Sequence, residues 1–173
     1  MQKIIKMAFI AVFVLMQTGL KAQLIKQVAV GFGTQGFEIS LQKKLINHTS
    51  VVLTTALAKE GLTNQLNDPL MAAGLSYRFI DRKANSLELT GLGGLMKLND
   101  PAVHIPVIFF RTHLCYNHFF GEKAHHGASI SVGYNYGRRV YRQSNEDLFF
   151  RTELVSTFMM KPIYAQIAYI YRF

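Results

Sequence analysis

The feature that most constrains this chain is an alternation of apolar and polar residues, with a period of two, which returns along nearly the whole sequence after residue 23. No long stretch there carries a convincing helical period. In GASISVGYNYG, Ala128, Ile130, Val132, Tyr134 and Tyr136 fall on one side and Ser129, Ser131, Gly133 and Asn135 on the other. PLMAAGLSYRF sets Met71, Ala73, Leu75, Tyr77 and Phe79 against Ala72, Gly74, Ser76 and Arg78, while GFEISLQKKL sets Phe37, Ile39 and Leu41 against Glu38, Ser40 and Gln42. An extended strand sends alternate side chains to opposite faces, and a one-residue slip would invert both, so the expected fold is all-β. Alternation does not say which row meets solvent. A soluble sandwich or barrel turns its apolar rows inward, whereas a membrane barrel turns them outward.

Nine segments read as strands, near residues 26–32, 36–44, 50–58, 70–80, 86–96, 105–118, 127–137, 148–156 and 163–173. The connections between them are rich in turn residues: INHT, DRKANS and GEKAHHG are short, while KEGLTNQLNDP, KLNDPAVH and GRRVYRQSNED are longer. Pro69, Pro101 and Pro162 sit at or just outside strand ends, where a missing donor does no harm, and Pro106 marks a strand start or edge irregularity. Bacterial single-chain barrels hold an even number of strands, with short turns on one side and long loops on the other. Grouping the three short turns at one end leaves eight strands in the wall and places DLFFRTELV in a long outer connection, as a β-extension beyond the barrel. The alternative fuses residues 26–44 into one long strand, which moves the short turns outside. The expected architecture is a closed antiparallel up-and-down transmembrane β-barrel of about eight strands.

The amino terminus, MQKIIKMAFIAVFVLMQTGLKAQ, has Lys3 and Lys6, an apolar run from Met7 to Met16, and a more polar stretch to Ala22. It reads as a secretory signal peptide over residues 1–22, with a barrel domain over 23–173. The run is shorter than the roughly 17 to 25 residues of a spanning helix. Without Lys3, Lys6 and Lys21, 16 of the 19 basic residues remain against 10 acidic ones, and the exported chain keeps a net charge of about +6. For an exported protein, that charge points to anionic headgroups and lipopolysaccharide phosphates rather than to nucleic acid. Cys115 is the single cysteine, so no intramolecular disulfide forms and stability rests on burial and backbone pairing.

Two features favour lipid outside the barrel. The strands approach the roughly 9 to 11 residues that a tilted strand needs to cross hydrocarbon, where every backbone polar group must be satisfied by protein. Aromatic residues gather at strand tips, as Tyr77 and Phe79, Tyr116 and Phe119, Tyr134 and Tyr136, then Tyr169, Tyr171 and Phe173. The ending YAQIAYIYRF, with Ile167, Tyr169, Tyr171 and Phe173 on its apolar row, resembles the assembly signal of bacterial outer-membrane β-barrels. That resemblance implies the barrel-assembly machinery as a partner and the outer membrane as the destination. GLSYRFIDRKANSLELTGLGGLMKLND is similar to the central hairpin of the conjugative-transposon TraO family, which implies a role in conjugal transfer.

With lipid outside, Glu38, Ser40, Gln42, Ser76, Arg78, Glu88, Thr90, Arg111, His113, Ser129, Ser131, Asn135, Gln166 and Arg172 point inward. An eight-stranded barrel is just wide enough for its own side chains, so they should form a hydrogen-bonded plug. Glu38 and Glu88 with Arg78 and Arg111 are its expected charge network, since an unpaired buried charge is costly. A nucleophile and base for catalysis would have to come from Ser129, Ser131, His113, His118, His125 and His126, with Glu153 as a third member. Strand parity opposes this, because both serines face the lumen, and a His-Ser dipeptide of the deacylase kind is absent. Adjacent His125 and His126 diverge, and His113 and His118 take opposite faces, so neither pair makes a metal site; no cofactor is expected. GFGTQG and GLGG open no helix and read as a tight turn and strand glycines. In GRRVYRQSNEDLFFR, Arg138, Arg139, Tyr141 and Arg142 form a candidate interaction surface for lipopolysaccharide phosphates or other envelope proteins. The sequence thus describes a non-enzymatic surface or envelope-assembly barrel. Its rivals are a lipid A-modifying enzyme and a soluble lipocalin-like binding barrel, the latter without the usual tryptophan or disulfide.

Overall fold

A computed structural model describes residues 25–59, 68–98, 106–147 and 150–173, with the backbone alone within 139–156. The expected signal peptide lies outside the described residues, as do the connections 60–67 and 99–105. Nine strands follow one another: β1 (Gln27–Gly33), β2 (Gly36–Ile46), β3 (Thr49–Ala58), β4 (Asp68–Asp81), β5 (Asn85–Lys97), β6 (Pro106–Phe120), β7 (His126–Asp147), β8 (Phe150–Met159) and β9 (Ile163–Arg172). Each of β1 to β7 pairs antiparallel with the next, and β9 closes the ring between β7 and β1. The result is a closed eight-stranded antiparallel barrel with one extra strand.

The closing registers are continuous, with Ile130 opposite Ile167 and Gly31 opposite Ala168. Closure removes the unpaired edges that an open sheet would carry. At the end bearing the short turns, Phe173 donates its amide to the Lys26 carbonyl (3.0 Å), and Arg172 donates to the His125 carbonyl (2.7 Å). β1 and β2 are separate strands joined through Thr34 and Gln35, which rules out one long strand over 26–44. Gly33 pairs with Gly36, whose φ of 126° is open to glycine and strained for other residues.

The sequence expectation needs one correction at β7. Its strand was expected to stop near residue 137, with GRRVYRQSNED as a connection, yet it runs on to Asp147. Pairing with β6 ends at Phe109 opposite Gly137, and from Arg138 to Asp147 the partner is β8. β8 pairs with nothing else among the described residues, so it stands outside the ring as the expected β-extension. Polar composition hides this strand because a two-stranded ribbon beyond the wall has no face that must be apolar. Its backbone is satisfied by ladder bonds, whatever the side chains.

Side-chain parity sets two surfaces. Ile130, Val132, Tyr134 and Tyr136 of β7 are exposed on the outside, as are Met71, Leu75, Tyr77 and Phe79 of β4. Ser129, Ser131 and Asn135, and Ser76 and Arg78, are buried inside. Toward the long loops the interior changes character. Val52, Ala56, Leu70, Leu92, Met96, Val107 and Phe109 join Met160 in one buried apolar cluster. The inward row is therefore polar along most of the barrel and largely apolar near the loop end, Asp68 excepted, which the sequence reading did not foresee.

Candidate functional site

The polar part of the lumen is organised around two hubs. Glu88 on β5, only 3% exposed, accepts hydrogen bonds from Gln42 Nε2 (2.9 Å), Ser76 Oγ (2.9 Å), and Arg78 through both Nε (2.8 Å) and Nη2 (2.5 Å). Ser86 Oγ and Asn117 Nδ2 complete its shell at 3.3 Å each. Arg78 also donates from Nη1 to Asp81 Oδ1 at 3.0 Å. An isolated carboxylate in such a place would be prohibitive, but here five neighbouring residues on four strands point donors at it.

Arg111 on β6 forms the second hub and is 1% exposed. Its Nη1 donates to Glu38 Oε2 at 2.6 Å, its Nε to Asn135 Oδ1 at 2.9 Å, and its Nη2 to Gln35 Oε1. The Tyr164 ring lies 4.0 Å below the guanidinium carbon, while the Tyr164 hydroxyl donates toward Glu38 Oε1 (3.2 Å) and Gln166 Oε1 (2.8 Å). The structure therefore brings together Arg78 with Glu88 and Arg111 with Glu38, and places the two pairs in separate clusters. Each cation is matched by a carboxylate, so the four charges cancel.

Between the hubs lies a cavity of about 60 Å³, lined by Gln27, Glu38, Ser40, Thr90, His113, Ser129 and Ser131 among others. It has room for only a few water-sized molecules. Above the Arg111 hub lies the apolar cluster, with Asp68 buried beside it. Met96, Val107 and Phe109 are fully buried there, and a Cβ on Gly94 would sit 2.7 Å from the Phe109 ring, so the glycine makes room for that ring. At the opposite mouth the Arg172 guanidinium lies 3.6 Å over the Phe119 ring. Burial, and then the positive charge of Arg78, lower the pKa of Lys26 beside it.

The residues considered for catalysis are not assembled. Ser129 and Ser131 are buried in the lumen, and Ser129 Oγ lies 3.0 Å from Cys115 Sγ. His113 is also inside, packed against Tyr164 with ring centroids 5.0 Å apart, and its Nδ1 finds no hydrogen-bond partner among the described residues. His118 and His126 are exposed at the turn end, where His118 Nδ1 lies 2.7 Å from Asn85 Oδ1 and His126 meets the Tyr169 hydroxyl. The Glu153 side chain lies outside the described residues. Among the described residues, no three metal-type side chains converge.

On the outer wall, the row of β9 expected to act in assembly runs Ile167, Tyr169, Tyr171 and Phe173. Ile167 is 68% exposed, and Tyr171 meets Phe173 edge-on at 5.0 Å. Leu, Ile, Val and Met dominate mid-wall, as at Leu53, Leu75, Leu114, Ile130 and Val132. Aromatic rings flank them: Tyr77, Tyr116, Phe120 and Tyr169 toward the short turns, and Phe110, Tyr134 and Tyr136 toward the loops. The candidate surface at Arg138, Arg139, Tyr141 and Arg142 begins at the rim. Arg138 is exposed opposite Met159, while the side chains of the other three lie outside the described residues. Their backbones pair with Phe158, Ser156 and Val155 in the ribbon.

Sequence reasoning missed Leu70, Leu92, Met96, Val107 and Phe109 as lumen residues. The signal was available where alternation lapses: GLGGLM, residues 91–96, and PVIFF, residues 106–110, lack polar residues on either face toward the loop ends of β5 and β6. A strand buried on one side and greasy on the other reads as a continuous apolar run. Comparison with protein families, curated proteins and solved structures finds no match to this chain.

Proposed function

We propose that this chain is an exported, non-enzymatic integral barrel of the bacterial outer membrane, with a plugged lumen and a loop-side ribbon that serves surface interaction or envelope assembly. The observation that carries this reading is the outer wall. Soluble monomers seldom expose contiguous apolar patches beyond a few hundred Å², whereas here Leu, Ile, Val, Met and aromatic side chains encircle the barrel. On β7 the outward row spans ten residue steps from His126 to Tyr136. At about 3.3 Å per step and a tilt of about 40° this makes roughly 25 Å, the height of an outer-membrane apolar band. Aromatic girdles at both borders support the same placement.

The lumen supports a plug over a pore or ligand pocket, because the charged groups of its two hubs are spent on one another and its loop end is largely apolar. A lipid A-modifying activity would need a nucleophile on the outer wall near its base, and Ser129 and Ser131 lie inside. The outward row of Ile167, Tyr169, Tyr171 and Phe173 is what the assembly machinery would read. The ribbon of β7 and β8 offers backbone edges to an envelope partner, and the hairpin similarity over residues 74–100 makes conjugal transfer the named candidate assembly.

Fractionation of expressing cells tests the reading. The mature protein should stay in the outer-membrane pellet through a carbonate wash and migrate faster on gels before boiling than after. Recovery from the soluble periplasm would favour the lipocalin-like rival. Planar bilayers holding the refolded protein should show no steady large conductance, and lipid A should keep the same mass spectrum with and without the gene. Transfer genes beside the coding sequence would support the conjugation role, and their absence would count against it.

A further inference from the structure

The charge excess of this protein is concentrated at one end of the barrel. The segments at the short-turn end, residues 25–26, 43–49, 81–85, 121–126 and 171–173, hold seven basic residues against two acidic ones. The long connections and the ribbon, residues 59–68, 97–106 and 138–162, hold seven against six. The lumen hubs are neutral. Nearly the whole positive excess therefore stands at the short turns, where a random scatter would divide it between the ends.

Its arrangement identifies what it fits. Lys43 and Lys44 are exposed at the end of β2, Arg82 and Lys83 in the β4–β5 turn, and Lys123 in the β6–β7 turn. Lys26 precedes β1, so the cations recur around the circumference. The wall passes from aliphatic residues to Tyr77, Tyr116, Phe120 and Tyr169; Lys43 and Lys44 stand at that border, opposite Val51 and Ser50, and Arg82, Lys83 and Lys123 in the turns beyond it. A single protein partner would be met by a patch on one side. A charged layer that surrounds the barrel at and beyond its aromatic border is matched by the phosphate plane of a lipid leaflet.

We propose that the short turns form a cationic collar that binds anionic phospholipid headgroups of the leaflet at that end. The inference rests on the membrane reading above and adds a lipid class to it. Ammonium and guanidinium groups at headgroup depth attract phosphate-bearing lipids of net negative charge over zwitterionic ones, and the attraction is screened by salt.

The test uses the full mature chain refolded in bilayers of phosphatidylcholine with a minor share of phosphatidylglycerol. The lipids retained after mild detergent extraction are then measured by native mass spectrometry. Wild type should retain phosphatidylglycerol at about fivefold its bulk share at low salt, and roughly 0.5 M salt should abolish the enrichment. The variant K43Q/K44Q/R82Q/K83Q/K123Q should retain lipids in the bulk ratio, while K97Q/R138Q/K161Q at the opposite rim should keep the enrichment. If the fivefold variant fails to fold, K43Q/K44Q, R82Q/K83Q and K123Q made separately should each lower the enrichment, and their Arg or Lys counterparts should keep it. Equal retention in wild type and collar variants, or equal loss in the opposite-rim variant, overturns the collar. Failure of wild type to enter bilayers at all overturns the membrane reading instead.

Discussion

Around Glu88 the lumen is filled by one carboxylate gathering donors from five residues, whereas around Met96, farther along the same strand β5, it is filled mainly by apolar side chains, with Asp68 the buried charge beside them. The same backbone geometry supports both fillings, because the ring of ladder bonds asks only that the interior be occupied. What differs is how each filling fails. A hydrogen-bonded hub loses its balance when one member goes, since the others are left buried and unsatisfied. An apolar cluster loses contact in proportion to the volume removed. The hub end therefore specifies which side chain sits where, and the apolar end tolerates exchange among residues of similar size.

The sharpest break is at the carboxylate. Glu88→Ala should destabilise the barrel by about 3–5 kcal/mol, because it leaves Arg78 with Asp81 as its one carboxylate partner. Urea unfolding followed by circular dichroism in vesicles measures this; the chain has no tryptophan to report by fluorescence. Replacing the pair together, as Arg78→Met with Glu88→Leu, should recover much of that loss. Additive losses would show that the ion pair does not act as a unit.

Phe109→Ala at the apolar end should lower stability by about 3–4 kcal/mol, with Phe109→Leu well under half of it. If the conservative change costs as much as the truncation, that end is as exacting as the hub and the contrast fails. On the outside, Val132→Arg at mid-wall should cost about 2–4 kcal/mol in vesicles, while the same change at Met159, past the wall, should cost about 0–1 kcal/mol. Equal effects would remove the depth dependence that hydrocarbon imposes. Smallest is Ser40→Ala, which deletes a hydroxyl 2.9 Å from Thr54 Oγ1 in the partly buried region between hubs and should cost about 1 kcal/mol.

The wall of this barrel was legible in the sequence because every second residue of β4, β7 and β9 repeats one chemistry. Four members of the charge clusters could be named, since Glu38, Arg78, Glu88 and Arg111 share the inward parity of their strands, but not Asp81, which meets Arg78 from the strand end. Which carboxylate meets which arginine was not, because that depends on strand order around a closed ring and on register. The apolar loop end was hidden for a different reason. From Gly91 to Met96 neither face of β5 carries a polar side chain, so alternation, the signal that located every other face, carries no information there. The β7 extension was missed because Arg138 to Asp147 leave the wall and with it the need for any pattern.

Placement in a membrane stands on which way the outer rows look, and one measurement addresses that directly. Spin labels placed singly at residues 108, 110, 112, 114 and 116 of β6, in a Cys115→Ser background, sample the outer wall from loop end to turn end. Collision with oxygen should peak at 112 and 114 and fall toward both ends, while collision with a water-soluble nickel chelate does the reverse. Free access of the chelate to all five sites in lipid vesicles would place water, not hydrocarbon, against the wall and contradict the account.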